Sequence, residues 1–269
     1  MNSDTLSLMP LVGQAVRRKV SAHPSKASLR RRTQVYRFRN IDVSKARAFA
    51  GGQSLEFSGG LTMIERGAAS GKESIVETLR QQFQDAEKNA FIENKRIPIW
   101  LVFLDVDAVC HCRGGASGAL ASVFSSSQTF FTRRHEFEGY LTQNIMAMLG
   151  SSYGRLRAKV SGDGRFDITD EPSGRNINAY FHSIGKQIIL FLAINEALRE
   201  LLSLDLPLVV DSLMDNLDPA LLFPCFRFIC AMNGQRIVIA RDDVVERLGA
   251  KPDYRIASDP VSGKAIIEM

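Results

Sequence analysis

Two aspartates seven positions apart, Asp211 and Asp218, bracket the stretch of this chain with the clearest chemical potential. Leu208, Val209 and Val210 form an apolar run that ends on Asp211. A short buried parallel strand has that pattern, and it delivers a carboxylate at its C-terminal edge, where open α/β sheets place their ligands. Asp218-Pro219 then opens a helix, because Asp caps helix N-termini and Pro suits the first helical position. Two acids flanking a strand-to-helix connection can form a paired-carboxylate site. An ordinary connection with a capping Asp is the other reading of the same residues.

A second stretch, Glu65-Arg66-Gly67-Ala68-Ala69-Ser70-Gly71-Lys72-Glu73-Ser74, follows the short apolar strand Leu61–Ile64 and leads into Ile75, Val76, Leu79 and Phe83 at helical spacing. Strand, small-residue loop ending in Gly-Lys, then helix is the architecture of a phosphate-binding loop. Backbone N–H groups at the helix start cradle phosphates, and the lysine adds a point charge. The match is partial. Arg66 stands where the loop's first glycine belongs, Glu73 stands where a hydroxyl normally meets magnesium, and Ser74 comes one residue late. A degenerate nucleotide loop and a plain Gly-rich turn both fit these residues.

The elements that must position these groups read as an α/β chain. Val35–Phe38 and Ser54–Phe57 have the alternation of strands, and Gly59-Gly60 is a turn before Leu61. Ile97–Val109 is a long β-prone run, 113–127 a Gly/Ala/Ser-rich loop, and Thr129–Thr132 a further short strand. His135–Leu149 is mildly helical; Arg155–Val160 and Arg165–Thr169 form a hairpin about Gly162-Asp163-Gly164. Ser183 is placed to cap a largely buried helix, with Gly185 near its first turn and Ile188, Leu192, Ala193, Leu198 and Leu202 inward. Helix Pro219–Met232, strand Gln235–Ala240, helix Asp242–Leu248 and a hairpin of Tyr254–Ala257 with Lys264–Glu268 complete the chain.

Composition sets the class. At 269 residues, 45% hydrophobic and 23% charged, the chain suits one large or two small globular domains. It lacks a membrane-length apolar run, a signal-peptide pattern, repeats and sustained heptads. Four cysteines are too few for a disulfide scaffold, and a reducing cytoplasm fits them. Cys110-His111-Cys112 has no matching second pair for a metal site, so free thiols are the simpler reading. Nine of the 34 basic residues but only one of the 29 acidic ones fall within 1–39. The remainder therefore holds 25 basic against 28 acidic residues, a net of −3. Residues 1–32 read as a basic arm that can contact nucleic-acid phosphates, dock on an acidic protein or stay solvated; an organelle transit peptide shares its composition.

The order of Gly-Lys loop, β-rich insert, Ser-x-Gly-x-Gln helix, Asp-ended strand and Leu-Asp-Pro helix resembles the ABC-type ATPase heads of the RecF, RecN and SMC families over residues 33–269. The resemblance implies an α/β head with a mixed sheet, a P-loop, flanking helices and a β-rich lobe. It implies ATP and Mg²⁺ as cofactors. Ser70, Gly71, Lys72, Glu73 and Ser74 would form the phosphate loop. Asp211 would be the Walker B acid, with Ser74 the nearest hydroxyl for the metal. Ser183, Gly185 and Gln187 look like the signature motif that caps a nucleotide on the opposing subunit of a homodimer or heterodimer, and Asp218 like the interface acid. A magnesium-sensing glutamine is expected, with Gln128 and Gln143 as candidates. The coiled coil of SMC members would leave near residues 135–150, where only a few turns fit.

Four positions depart from the family. Ser212 occupies the place of the glutamate that activates water, and serine is no base at neutral pH. Glu73 and Arg66 alter the loop, and Ala240-Arg241 replaces the switch histidine. Asp215 and Asp242 are the acids nearby. A nucleotide-controlled head acting on DNA and a catalytically silent scaffold of the same fold both follow from this pattern.

Overall fold

The computed structural model describes residues 36–43, 46, 48–50, 52–67, 71–87, 91–92, 95–96, 98–106, 109, 132–150, 155–161 and 165–269. By its contacts the chain divides after Arg32, so every described residue belongs to the unit Thr33–Met269. The basic arm, Ser70, Cys110-His111-Cys112, the 113–127 stretch, Gln128 and the Gly162-Asp163-Gly164 turn lie outside the described residues.

The centre is a six-stranded sheet. β3 (Leu61–Arg66), β6 (Phe103–Leu104), β10 (Leu208–Asp211), β11 (Arg236–Arg241), β12 (Tyr254–Ser258) and β13 (Ala265–Glu268) lie in the order β13-β12-β3-β11-β10-β6. All neighbours are parallel except β12 and β13. The interiors of β3, β10 and β11 are buried without interruption, which is why their sequences are apolar runs and not alternating ones. Parallel pairing also has a geometric consequence. Arg66, Arg241, Asp211 and Asp105, the residues at or just past the ends of β3, β11, β10 and β6, come to one edge of the sheet.

Helices enclose this sheet. α1 (Lys72–Glu87) starts directly after the Gly-Lys loop, and α2 (Arg134–Leu149) packs against α3 (Ile184–Leu202) and α4 (Pro219–Ala231). α5 (Asp242–Leu248) ends at Gly249, whose φ of 59° is the left-handed cap that the glycine permits. Beside the main sheet stand β1 (Asn40–Asp42) with β2 (Ser54–Glu56), β4 (Phe91–Ile92) with β5 (Lys95–Arg96), and β7 (Leu156–Val160), β8 (Phe166–Asp170) and β9 (Arg175–Asn176), each antiparallel.

Two expectations change. Among the described residues of the β-prone run 97–109, only Phe103–Leu104 is a strand. Pro98 starts a turn in which Leu101 and Val102 donate to the carbonyls of Pro98 and Ile99, and the carbonyls of Trp100 and Leu101 accept from the buried Asn195 amide. The backbone there is satisfied by α3 instead of by a neighbouring strand. Nor is Tyr36–Phe38 a strand. The N–H and C=O of Phe38 are both bonded, each at 2.8 Å, to the buried Gln235 side chain, which takes the place of a strand partner. Thr132 falls in a helical turn before α2, while 129–131 lie outside the described residues.

At the opposite end of β10, α3 carries a buried ionic pair. Arg199 donates to the carbonyls of Leu206, Pro207 and Leu101 and so caps the entry of β10. Glu196 Oε2 lies 3.4 Å from Arg199 Nε but has no hydrogen bond. Burial therefore dominates and pushes the Glu196 carboxyl up to about 7, with Arg199 and Arg236 opposing the shift and Glu200 adding to it. A carboxyl raised in the folded state binds more protons there than in the unfolded chain. Its contribution to stability is present below the unfolded pKa and is lost as pH rises through about 7. Denaturant unfolding between pH 5 and 8 should show a fall on the order of 2–3 kcal/mol that Glu196→Gln flattens; an equal slope in the variant would show that other groups set it.

Candidate functional site

The carboxyl end of β10 and the start of α1 meet through side chains. Lys72 Nζ lies 3.2 Å from Asp211 Oδ1, 3.4 Å from Asp211 Oδ2 and 3.4 Å from Ser212 Oγ. Ser212 Oγ donates to Asp211 Oδ1 at 3.0 Å. Ser212 adopts φ of 55°, a left-handed conformation unusual for a residue with a side chain. It is held there by its N–H on the Ile239 carbonyl and by its own carbonyl accepting from Asp215 N and Asn216 Nδ2. Backbone strain of this kind concentrates at functional sites.

A cavity of about 410 Å³ opens over these groups. Lys72, Val76 and Arg80 reach it from one stripe of α1, at i, i+4 and i+8, with Glu73 and Glu77 beside them; Asp105 closes the far wall. Arg80 is ion-paired with Asp105 and its guanidinium sits 5.3 Å from the Phe103 ring centre. Four carboxylates thus face two cations. A bare triphosphate would meet a net negative lining, whereas a triphosphate carrying a divalent ion would find Lys72 for its phosphates and Asp211 for the metal. The donor set fits a metal–nucleotide and not a free nucleotide. Among the described residues no group of three or more His, Cys, Asp or Glu forms a metal cage of its own.

The other expected site residues lie apart from this cavity. Ser74 lines a neighbouring groove of about 550 Å³ with Thr78, Gln82 and Asp85, and its carbonyl accepts from Thr78 Oγ1 at 2.6 Å. Ser183 is the N-cap of α3 by position, without a side-chain cap bond. Gln187 donates to the His182 carbonyl at 3.3 Å. A Cβ on Gly185 would stand 3.5 Å from the Asn216 carbonyl and 3.6 Å from Leu217, so the start of α3 packs on the segment between Asp211 and Asp218. Asp218 caps α4, its Oδ1 accepting from Leu221 N at 2.9 Å. Asp242 accepts from Asp243 N in the first turn of α5, and Gln143 is exposed on α2. Neither lines the cavity.

Arg80 and Asp105 escaped sequence reasoning, though each left a signal. Asp105 ends an apolar run, as Asp211 does, and Arg80 continues the Lys72–Val76 stripe. Asp215, one of the two acids near Ser212 in sequence, pairs with Arg66 at 2.6 Å. Of the described thiols Cys225 is buried, and burial pushes it up to about 12, so it stays protonated and unreactive.

Gly71 has a structural duty alongside any chemical one. A Cβ there would overlap the Phe49 ring, whose Cζ is 2.5 Å from that position. Phe49 is itself buried and bridged to Ala265 at the sheet edge. Gly71→Ala should destabilise the fold by about 1–3 kcal/mol through overpacking, and Phe49→Leu should recover part of that loss in the double variant, as read by chemical denaturation. Strict additivity of the two changes would contradict the contact.

No protein-family model matches the chain, and no curated protein matches it in sequence. Solved structures do match. The SMC head domain from Thermotoga maritima is 14% identical, with 82% of this chain and 94% of that chain covered at a TM-score of 0.46. An SMC head crystallised with the C-winged helix domain of ScpA is 12% identical, with 82% of this chain and 93% of that chain covered at a TM-score of 0.57. The second likeness is a likeness of fold: the described residues take an ABC ATPase head-like α/β fold of the kind seen in SMC heads.

Proposed function

We propose that this protein is an SMC-type head that binds magnesium–ATP between Lys72 and Asp211, turns it over slowly or not at all, and uses occupancy to control pairing with a second head. The observation that carries the reading is the junction of Lys72, Asp211 and Ser212 at one strand end. Lys72 would hold phosphate oxygens and Asp211 the magnesium ion, which supplies charge neutralisation at the phosphates. Ser212 would occupy the place from which a base reaches water, and Asp211, Asp105 and Asp215 are each ion-paired, with Lys72, Arg80 and Arg66. A general base contributes roughly 10²–10⁴-fold to such a step. Its absence supports binding without efficient hydrolysis.

Pairing of heads would use the α3 start, with Ser183, Gly185 and Gln187, together with Asp218 on the segment against which Gly185 packs. A site shared by two heads is completed only when both close on it, so bound nucleotide shifts the association equilibrium. Among the described residues no helix is long and apolar enough to cross a membrane. The arm of residues 1–32 would bring the head to DNA phosphates.

Magnesium–ATP binding and turnover test this on the full chain. Wild type should bind with little turnover, Lys72→Ala should weaken binding at least about tenfold, and Ser212→Glu should raise turnover. Absence of binding by wild type with magnesium present would favour the second reading, a scaffold that keeps the fold without its ligand. For the arm, DNA affinity should fall steeply with salt in wild type, and removal of residues 1–32 should lower both the affinity and the slope. An unchanged slope would detach the arm from DNA.

A further inference from the structure

Arg66, Asp215 and Arg241 form a cluster that the cavity itself does not include. Arg66 ends β3 and Arg241 ends β11, and the two are register partners across the parallel pair. Both converge on one carboxylate. Arg66 Nη2 lies 2.6 Å from Asp215 Oδ2, Arg241 N donates to Asp215 Oδ1 at 3.0 Å, and Arg241 Nε is 3.9 Å from Oδ2. Asp215 is 8% exposed and Arg66 19% at the side chain, and Arg66 Nε is buried with no hydrogen-bond partner. The Arg241 guanidinium lies closer to Asp243, at 3.1 Å, so Asp215 is chiefly the partner of Arg66, which keeps an unspent donor at the strand edge. A buried donor in that state is costly to keep.

Asp215 belongs to the turn Met214–Asn216, which hangs from the Ser212 carbonyl and leads to Leu217, the residue under Gly185. Arg66 is also the residue from which the Gly-Lys loop departs, at the position of the missing loop glycine. One side chain therefore connects the phosphate loop to the segment on which the α3 start rests.

We infer that Arg66 is a terminal-phosphate ligand held in reserve by Asp215, so that a nucleoside triphosphate draws Arg66 off Asp215 while a diphosphate leaves the pair intact. This rests on nucleotide binding at Lys72. The exchange replaces a carboxylate by a phosphate as the partner of Arg66 and leaves the 214–216 turn held only by the Arg241 N–H and its own backbone bonds. The site thereby distinguishes tri- from diphosphate without a histidine sensor, and the discrimination is transmitted to the face carrying Gly185 and Asp218.

Affinities of magnesium–ATP and magnesium–ADP for full-length wild type, Asp215→Asn, Arg66→Gln and the double variant decide the matter. Asp215→Asn should tighten ATP about tenfold and ADP little, because Arg66 no longer has a competing charge. Arg66→Gln should bring the ATP-to-ADP ratio close to one, and the double variant should match Arg66→Gln. ATP should raise hydrogen exchange across 212–218 in wild type but not in Arg66→Gln. Equal effects on ATP and ADP, or none, in Asp215→Asn would overturn the inference and leave nucleotide binding standing. Binding by no protein, Asp215→Asn included, would overturn both. If Asp215→Asn does not fold, Arg66→Gln decides alone: a retained preference for ATP overturns the reserve ligand, and a lost one supports it.

Discussion

Parallel pairing of β3, β11 and β10 is the constraint on which the site depends. Each strand is buried on both faces, so register cannot slip without moving its apolar run out of the core. Because the strands run the same way, their last residues arrive together, and the polar residues that end the apolar runs are concentrated at one edge. Lys72 joins that edge because α1 begins there, and its contact with Asp211 ties the loop after β3 to the end of β10, two strands away.

Charge at this edge is balanced in pairs. Lys72 with Asp211, Arg80 with Asp105 and Arg66 with Asp215 put an acid within ion-pair distance of each base. None of the six side chains is more than about a third exposed, so these pairs are less screened than surface ones. A phosphate entering such a site must compete with carboxylates for its cations, and a divalent ion must take up the acids that are released. Occupancy is then an exchange of partners more than the filling of an empty cradle.

Much of the fold was legible because its signals are local. The apolar runs of β3, β10 and β11, the Asp218-Pro219 start of α4 and the Gly249 end of α5 carry their structural meaning within a few residues. The failures have one cause. Ile97–Val109 and Tyr36–Phe38 are both β-prone, yet the Trp100 and Leu101 carbonyls are claimed by Asn195 and the Phe38 N–H and C=O by Gln235, side chains that lie far along the chain. Tertiary hydrogen bonding overrode local preference in both places, and no window of sequence contains that information.

For the candidate site, sequence by itself determined where its groups sit: Gly71-Lys72 at a helix start, Asp211 at a strand end with Ser212 after it, and Asp218 as a cap. These follow from residue type and position in a short motif. Only the tertiary structure decided how they are partnered. Arg66, which in sequence is merely a missing glycine, becomes a partly buried cation on Asp215; Asp105 becomes a wall of the cavity; and Ser74 turns to a different groove from Asp211. Partnership of this kind is set by which strand ends the sheet brings together, and the order β12-β3-β11-β10-β6 is a property of the whole packed chain.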